Sequence, residues 1–396
     1  MKRIGMAWRL ALAVVVGAAL GALIGAPLIP LGDAAMSIVR LLKMLAAPLL
    51  FFAIVDALVK AEIPPRKGLR LVALSALNAT VAVAIGLFVA HVIHAGDKWQ
   101  GRLQEMLAAQ PHVAVAARVA ASAPAMTFPA TLVDVLNAPS VIPLVLLALA
   151  VGIALRQLGE SEGAGALARA AHTGFAVFAR MLSWLVEVVP LAVCLIIAGV
   201  VAKSGFAIFG MLGWFVLTVT VGMVLHAGGY YTLLLLAARR SPRQFYARGA
   251  SAILTALSCG SSLATLPVTP TALRRMKISE GSARLAACVG TNLNHDGIIL
   301  YEAASALFVS QALGWHLGVA AQVQIAVASV LAGVGISGVP EAGLITLPLV
   351  LSAAGVPSEV VVALLPLLFA VDWLIGRMRA AVNVTSDMVV ANLLEG

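Results

Sequence analysis

Between residues 364 and 390 the chain reads LLPLLFAVDWLIGRMRAAVNVTSDMVV, a helix-length apolar segment that carries Asp372, Arg377, Arg379, Asn383 and Asp387. A charge at the centre of a bilayer costs at least about 2.5–3.5 kcal/mol on the most lenient scale. Charges kept there must pair or face water, and their usual work is to hold an ion or a polar solute. A guanidinium binds a carboxylate bidentately, so Arg379 is the first candidate for a carboxylate ligand and Arg377 its supporter. Two residues apart, the arginines lie about 200° apart around a helix and cannot address one ligand in the same way. Asp372 precedes Arg379 by seven residues, on the same face but about 10 Å away along the axis, so a direct pair is expected to be strained.

A second polar cluster, GTNLNHDG, occupies residues 290–297 of another apolar segment. A helix interrupted there exposes main-chain carbonyls and adds a carboxylate, the oxygen ligands that a hard monovalent cation such as sodium requires. Asn294, Asp296, Asn383 and Asp387 form the oxygen-bearing set. Interhelical hydrogen bonding alone would suit a lone Asn better than two such clusters. His295 stands beside the set as a ligand, a titrating group or a satisfied polar neighbour, three readings that stay open. Glu302 follows in apolar surroundings, where a proton carrier and a hydrogen-bonded structural acid are equally open readings.

These residues need elements that live in lipid. The chain has 396 residues, 62% hydrophobic and 11% charged, with a mean hydropathy of +1.04. Soluble domains run near 25% charged, so a polytopic membrane protein follows, in contact with lipid. Long continuous apolar runs imply helices and not a barrel, giving an all-α membrane fold. Spanning candidates are 10–31, an uncleaved first helix, and 44–60, 71–94, 138–157, 175–202 and 205–237. The net charge of +9 comes from Lys and Arg gathered at alternate span ends, which fits the positive-inside rule and not a nucleic-acid partner. Lys2, Arg3, Lys60, Arg66, Arg156, Arg239 and Arg240 share one side, so the N-terminus is expected in the cytoplasm of a cell whose cytoplasmic (inner) membrane holds the protein. The three cysteines have neither metal nor disulfide spacing and read as packing residues.

After the sixth span the pattern changes. Residues 249–272 and 322–356 each read as apolar arm, polar tip, apolar arm, with arms too short to span. A re-entrant hairpin is the physical reading, because its free backbone groups are tolerated only in a protein-lined cavity. Ser261 and Ser262 at the first tip, and Gly335, Ser337, Gly338 and Val339 at the second, offer hydroxyls and free N–H groups that suit an anion. Their other reading is turn chemistry alone. Hairpin plus polar helix (285–312, then 359–394), twice and in opposite orientation, is an inverted repeat, and transporters bind at such interfaces.

SSLATLPVT (261–269), NHDGIILYEA (294–303), GISGVPEAG (335–343) and VDWLIGRMRAAVNVTSD (371–387), in this order, resemble the glutamate transporter family of dicarboxylate/amino acid:cation symporters. The resemblance implies eight transmembrane helices plus two re-entrant hairpins, an elevator mechanism and a homotrimer. Residues 1–70 and 138–204 would be scaffold (helices one, two, four and five), 96–137 an extracellular loop, and 71–95 and 205–396 the transport domain. It implies a sodium site at Gly290, Asn294, Asn383 and Asp387. A second would use Asn292 and His295 with carbonyls of Gly333, Val334 and Ile336, and a third Asn294 and Asp296 with Asn78. Substrate-facing positions would be Ser261, Ser262, Ile298, Ser337, Gly338, Val339, Gly343, Asp372, Gly376, Arg377, Arg379, Ala380 and Asn383. Arg379 would hold the distal carboxylate, and Glu302 falls where proton-coupled members carry a glutamate.

The chain also departs from the family pattern. Gly376 stands where amino-acid transporters place an aspartate on the substrate ammonium, Ala380 and Ile298 replace threonines, and His295 replaces a methionine. Arg379 keeps an acidic substrate, while Gly376 points from glutamate and aspartate toward a C4-dicarboxylate. Glu341 offers a substitute carboxylate, so both substrate classes stay level. A sodium-coupled symporter of a small anion, with protons as a further coupled ion, is the leading reading. A channel of the same fold and a neutral amino-acid symporter are the alternatives. An intramembrane enzyme is disfavoured, since His295 and Asp296 are adjacent and point roughly 100° apart on a helix.

Overall fold

Every regular element among the described residues is helical, as continuous apolar sequence in lipid demands, because a helix satisfies its backbone polar groups within the segment. The computed structural model describes residues 6–60, 65–101, 103, 141–159, 162–262, 265, 268–284, 286, 293–335 and 342–395. Four helices there are long and apolar enough to cross a membrane, Leu69–Ile93, Gly163–Lys203, Leu212–Ala237 and Ser358–Leu394, and shorter apolar helices accompany them.

The amino-terminal helices are α1 (Met6–Ile24), α2 (Ile29–Lys60) and α3 (Pro65–Ile93), followed by α4 (Val141–Gln157) and α5 (Glu162–Ser204). The expected span 10–31 is instead broken at Gly25, whose φ of 72° is left-handed, and a short 3-10 turn leads into α2. The span expected at 44–60 is part of a 32-residue helix. The helix expected at 175–202 begins at Glu162 and runs for 43 residues. In both cases exposed charges, Asp33 and Arg40 on α2 and Arg169 on α5, lie on a helix face and do not interrupt it. Helices α1 and α5 pack through small residues. A side chain at Gly17 or Gly21 would collide with the backbone carbonyl of Cys194 or Ala198, the close approach typical of helices in membranes.

The carboxy-terminal half comprises α6 (Ala207–Val224), a π-helical turn (Leu225–Tyr230), α7 (Tyr231–Ala237), α8 (Pro242–Cys259), α9 (Thr269–Arg275), α10 (Glu280–Arg284), α11 (Asp296–Ala312), α12 (Val319–Gly335), α13 (Ala342–Ala353) and α14 (Ser358–Leu394). The first expected hairpin, 249–272, appears as α8 and α9 about a tip at Gly260, whose φ of 67° caps α8. Its arms are unequal, since α8 has 18 residues and α9 has 7. The second, 322–356, appears as α12 and α13, which pack against each other. Helix α11 is entirely buried and is wrapped by α3, α12, α13 and α14. It begins at Asp296, at the end of the polar cluster; 285 and 287–292 of the expected span lie outside the described residues. Glycines let it approach its neighbours: a Cβ on Gly86 would lie 2.7 Å from the Leu300 carbonyl oxygen, and one on Gly297 2.6 Å from that of Arg379.

Candidate functional site

Two polar centres lie along the contact between α11 and α14. The first gathers about Arg379, 4% exposed and near the middle of α14. Its Nη2 donates to Asp372 Oδ2 at 2.8 Å. The expected strain in that pair is corrected: an arginine on a helix leans toward the N-terminus and spans two turns toward a short acid. The guanidinium also lies over the Tyr301 ring, with Cζ 4.4 Å from the centroid, a favourable cation–π arrangement. A side chain on Gly343 of α13 would overlap this guanidinium, and a Cβ on Gly376 would lie 3.2 Å from its Nη2. Glycine at 343 makes the room that the guanidinium itself fills, and glycine at 376 leaves it free of a tight contact. Glu302 is fully buried, with the Thr346 hydroxyl and the Arg379 guanidinium as polar neighbours. Ile298 and Ala380 are buried, on α11 and α14.

The second centre surrounds the start of α11. Asn294 Nδ2 donates to Asp387 Oδ1 at 3.3 Å, and the Gly297 N–H donates to Asn383 Oδ1 at 2.8 Å. That bond uses one of the two acceptor positions of the Asn383 oxygen. Asp296 Oδ2 accepts from Tyr231 Oη and from Ser386 Oγ, both at 2.6 Å. Asn294 Oδ1 and Asp296 Oδ1 are buried and accept no hydrogen bond among the described residues. Buried oxygens of that kind carry a desolvation cost that a cation relieves. Their donor set, an amide carbonyl and a carboxylate, is one sodium accepts. Asn78 is linked to Asp296 through Ser386: its Nδ2 donates to Ser386 Oγ at 3.3 Å, and its Oδ1 accepts from Tyr230 Oη at 2.9 Å. His295 is buried at the N-cap of α11, and a Cβ on Gly333 of α12 would lie 3.7 Å from its Cβ. The structure thus brings His295 and Gly333 together, with Val334 next in the same helix.

The two arginines separate as their spacing predicts. Arg377 lies over the Trp8 ring of α1, 5.4 Å from its centroid, and its stem passes the Gly260 tip, where a Cβ would lie 3.5 Å from Arg377 Cγ. Ser261 and Ser262 follow Gly260 in a half-buried turn, and their carbonyl oxygens accept from Thr265 Oγ1 at 2.8 Å and Thr265 N at 3.1 Å. Gly290, Asn292, Ile336, Ser337, Gly338, Val339 and Glu341 lie outside the described residues, as does most of the expected loop 96–137.

Sequence reasoning missed Tyr301 and Thr346 at the first centre and His226, Tyr230, Tyr231 and Ser386 at the second. The signal for the latter was HAGGYY (226–231), a histidine, paired glycines and paired tyrosines inside an apolar span. There the helix takes its π turn, a local irregularity that often marks a functional position.

The model of the Sodium:dicarboxylate symporter family matches residues 6–396. The chain is similar to excitatory amino acid transporter 4 of Mus musculus, 34% identical over 220 residues, 54% of this chain and 38% of that protein. It is similar to excitatory amino acid transporter 3 of Homo sapiens, 37% identical over 209 residues, 52% and 39% of the two chains. Excitatory amino acid transporter 2 of Rattus norvegicus is 34% identical over 254 residues, 62% and 43%. The matched stretches thus span about two-fifths of the length of these relatives.

Proposed function

Since the chain belongs to the sodium:dicarboxylate symporter family, we propose that it is a secondary active transporter coupling sodium to the uptake of a small dianion, an acidic amino acid or a C4-dicarboxylate, across the cytoplasmic membrane by alternating access. The observation that carries the reading is Arg379: a guanidinium buried in mid-helix, paired with Asp372 and closely approached by the glycines at 343 and 376. A substrate carboxylate exchanges for Asp372 on that fork, with Asn383 Nδ2 and the two hairpin tips completing its surroundings. The cations bind at Gly290, Asn294, Asn383 and Asp387; at Asn292, His295, Gly333, Val334 and Ile336; and at Asn294 and Asp296 with Asn78. The bare oxygens of Asn294 and Asp296 support the last of these. The chain works as a homotrimer, residues 1–70 and 138–204 forming a static scaffold along which residues 71–95 and 205–396 move as an elevator.

Two observations bear on the substrate. No carboxylate stands at Gly376 to meet an ammonium, which favours a non-amino dianion. Asp372 Oδ2 lies 3.6 Å from a Cβ built on Gly376, so an amino-acid substrate that freed Asp372 from Arg379 would find its counter-charge there. Uptake of labelled succinate, glutamate and aspartate into proteoliposomes tests the reading. Sodium-gradient-driven uptake of at least one, with succinate competing at least as well as aspartate, is expected. Absence of gradient-driven uptake of any small anion overturns it. Glu302 carries a proton in the same cycle, so Glu302→Gln flattens the dependence of uptake on external pH while sodium dependence persists; an unaltered pH profile returns Glu302 to a structural role.

A further inference from the structure

Asp296 divides its two carboxylate oxygens between different tasks. Oδ2 is held by two short hydroxyl bonds from separate elements, Tyr231 Oη on α7 and Ser386 Oγ on α14, each at 2.6 Å. His226 Nε2 stands behind them, 3.1 Å from Tyr231 Oη and 3.5 Å from Asp296 Oδ2. The π turn before α7 allows this arrangement. Consecutive tyrosines diverge there, Tyr230 to Asn78 on α3 and Tyr231 to Asp296 on α11. Oδ1, on the other side of the same carboxylate, accepts no hydrogen bond among the described residues, and neither does Asn294 Oδ1. Asp296, Tyr231, Ser386 and His226 are all fully buried, so water does not dilute these interactions.

We propose that Tyr231 and Ser386 form a hydroxyl clamp that restricts Asp296 to one cation-facing oxygen and thereby lowers sodium affinity into a range compatible with release. The clamp deepens the proposed function and rests on its cation site. Two charge-assisted donors draw negative charge toward Oδ2 and fix the carboxylate plane, which weakens the field at Oδ1. They also stabilise the cation-free protein, whose buried carboxylate would otherwise be less compensated. Both effects act in one direction: removing a clamp hydroxyl makes the cation-free state less favourable and the bound state more so. Tyr231 and Ser386 are positioning residues that act through Asp296.

The test is sodium-dependent thermal stabilisation of the purified full chain without substrate, sodium being exchanged for choline at constant ionic strength. In the wild-type chain, Tm rises with sodium to a plateau. Tyr231→Phe and Ser386→Ala are each expected to lower the half-maximal sodium concentration roughly three- to tenfold. Tyr246→Phe is the control, since it removes a hydroxyl from the Ala227 carbonyl of the π turn and not from Asp296. It is expected to lower Tm without moving the sodium midpoint. If the wild type shows no sodium-dependent shift, the cation site fails and the clamp with it. If the wild type shifts but both clamp variants keep its midpoint, move it upward, or move it no more than Tyr246→Phe does, the clamp is overturned and the cation site stands. Ser386→Ala is a small change inside α14 and keeps the test available should Tyr231→Phe fail to fold.

Discussion

The helices α1, α2, α4 and α5 and the bundle around α11 and α14 handle charge in opposite ways. Among the described residues, no polar or charged side chain of the first group is fully buried, and its close contacts are made by glycines, against backbone at Gly17 and Gly21 and against the Leu58 and Phe52 side chains at Gly152 and Gly174. Its ion pairs keep at least one partner at the surface: Arg9–Glu187 at 2.6 Å, with side chains 35% and 57% exposed, Lys203–Asp33 at 3.4 Å, and His172–Asp56 at 3.2 Å, with side chains 55% and 12% exposed. The second group buries Asp296, Glu302, Asp372, Arg379 and Asp387, each at most 4% exposed. A buried charge destabilises unless it is compensated, and an apolar replacement of similar volume is often the more stable choice. Charges gathered in the interior of one half and scarce in the interior of the other are therefore poorly accounted for by stability alone.

The largest expected effect breaks that comparison at its centre. Arg379→Met leaves Asp372 buried without its guanidinium and should cost about 3–5 kcal/mol, read as a fall in Tm of the purified protein, with loss of dianion binding. Asp372→Leu combined with Arg379→Met should recover most of the stability and none of the binding, because the site then resembles an apolar core. If Arg379→Met is no more damaging than a surface ion-pair variant, the division between the two halves is wrong. The complementary change, Gly17→Val, should harm the first group through volume. Its side chain meets the Cys194 backbone where α1 and α5 touch, an overpacking cost of about 1–3 kcal/mol. The dianion and sodium midpoints of whatever folds should match the wild type.

The second half was the more legible in sequence, because membrane charges are costly and stand out individually: Arg379, Asp387 and Asn294 were visible as anomalies of composition. Partners contributed by other helices were not. The Asp372–Arg379 pair depended on how far an arginine reaches along its own helix, which residue spacing alone does not settle. Tyr231 and Ser386 carry hydroxyls that look ordinary until the π turn and the register of α14 aim both at Asp296. In the first half, the polar faces of α2 and α5 imitated loops. Asp33, Arg40 and Arg169 broke the hydropathy pattern without breaking the helix, since a charge on an exposed helical face interrupts nothing in the backbone.

Surface contacts sharpen the comparison by separating burial from location. Arg9→Met should cost no more than about 1 kcal/mol in the first half, although its partner Glu187 lies at only 2.6 Å. The bond between Ser279 Oγ and Glu395 Oε2, 2.6 Å long and exposed at the end of α14, belongs to the second half yet should behave like Arg9–Glu187. The Ser279 hydroxyl, with smaller help from Ser282 and Lys67, holds the Glu395 carboxyl below its ordinary 4.5. A carboxyl lowered by folding contributes stability above its ordinary value and loses that contribution as pH falls through the folded one. Ser279→Ala should therefore lower stability by a few tenths of a kcal/mol near neutral pH, and the difference from wild type should vanish in acid below the folded value. A pH series of Tm for the two proteins checks this. A penalty that persists once Glu395 is protonated would show that the contact works by packing, and a penalty near that of Arg379→Met would show that position in the bundle, and not burial, governs what a charge is worth.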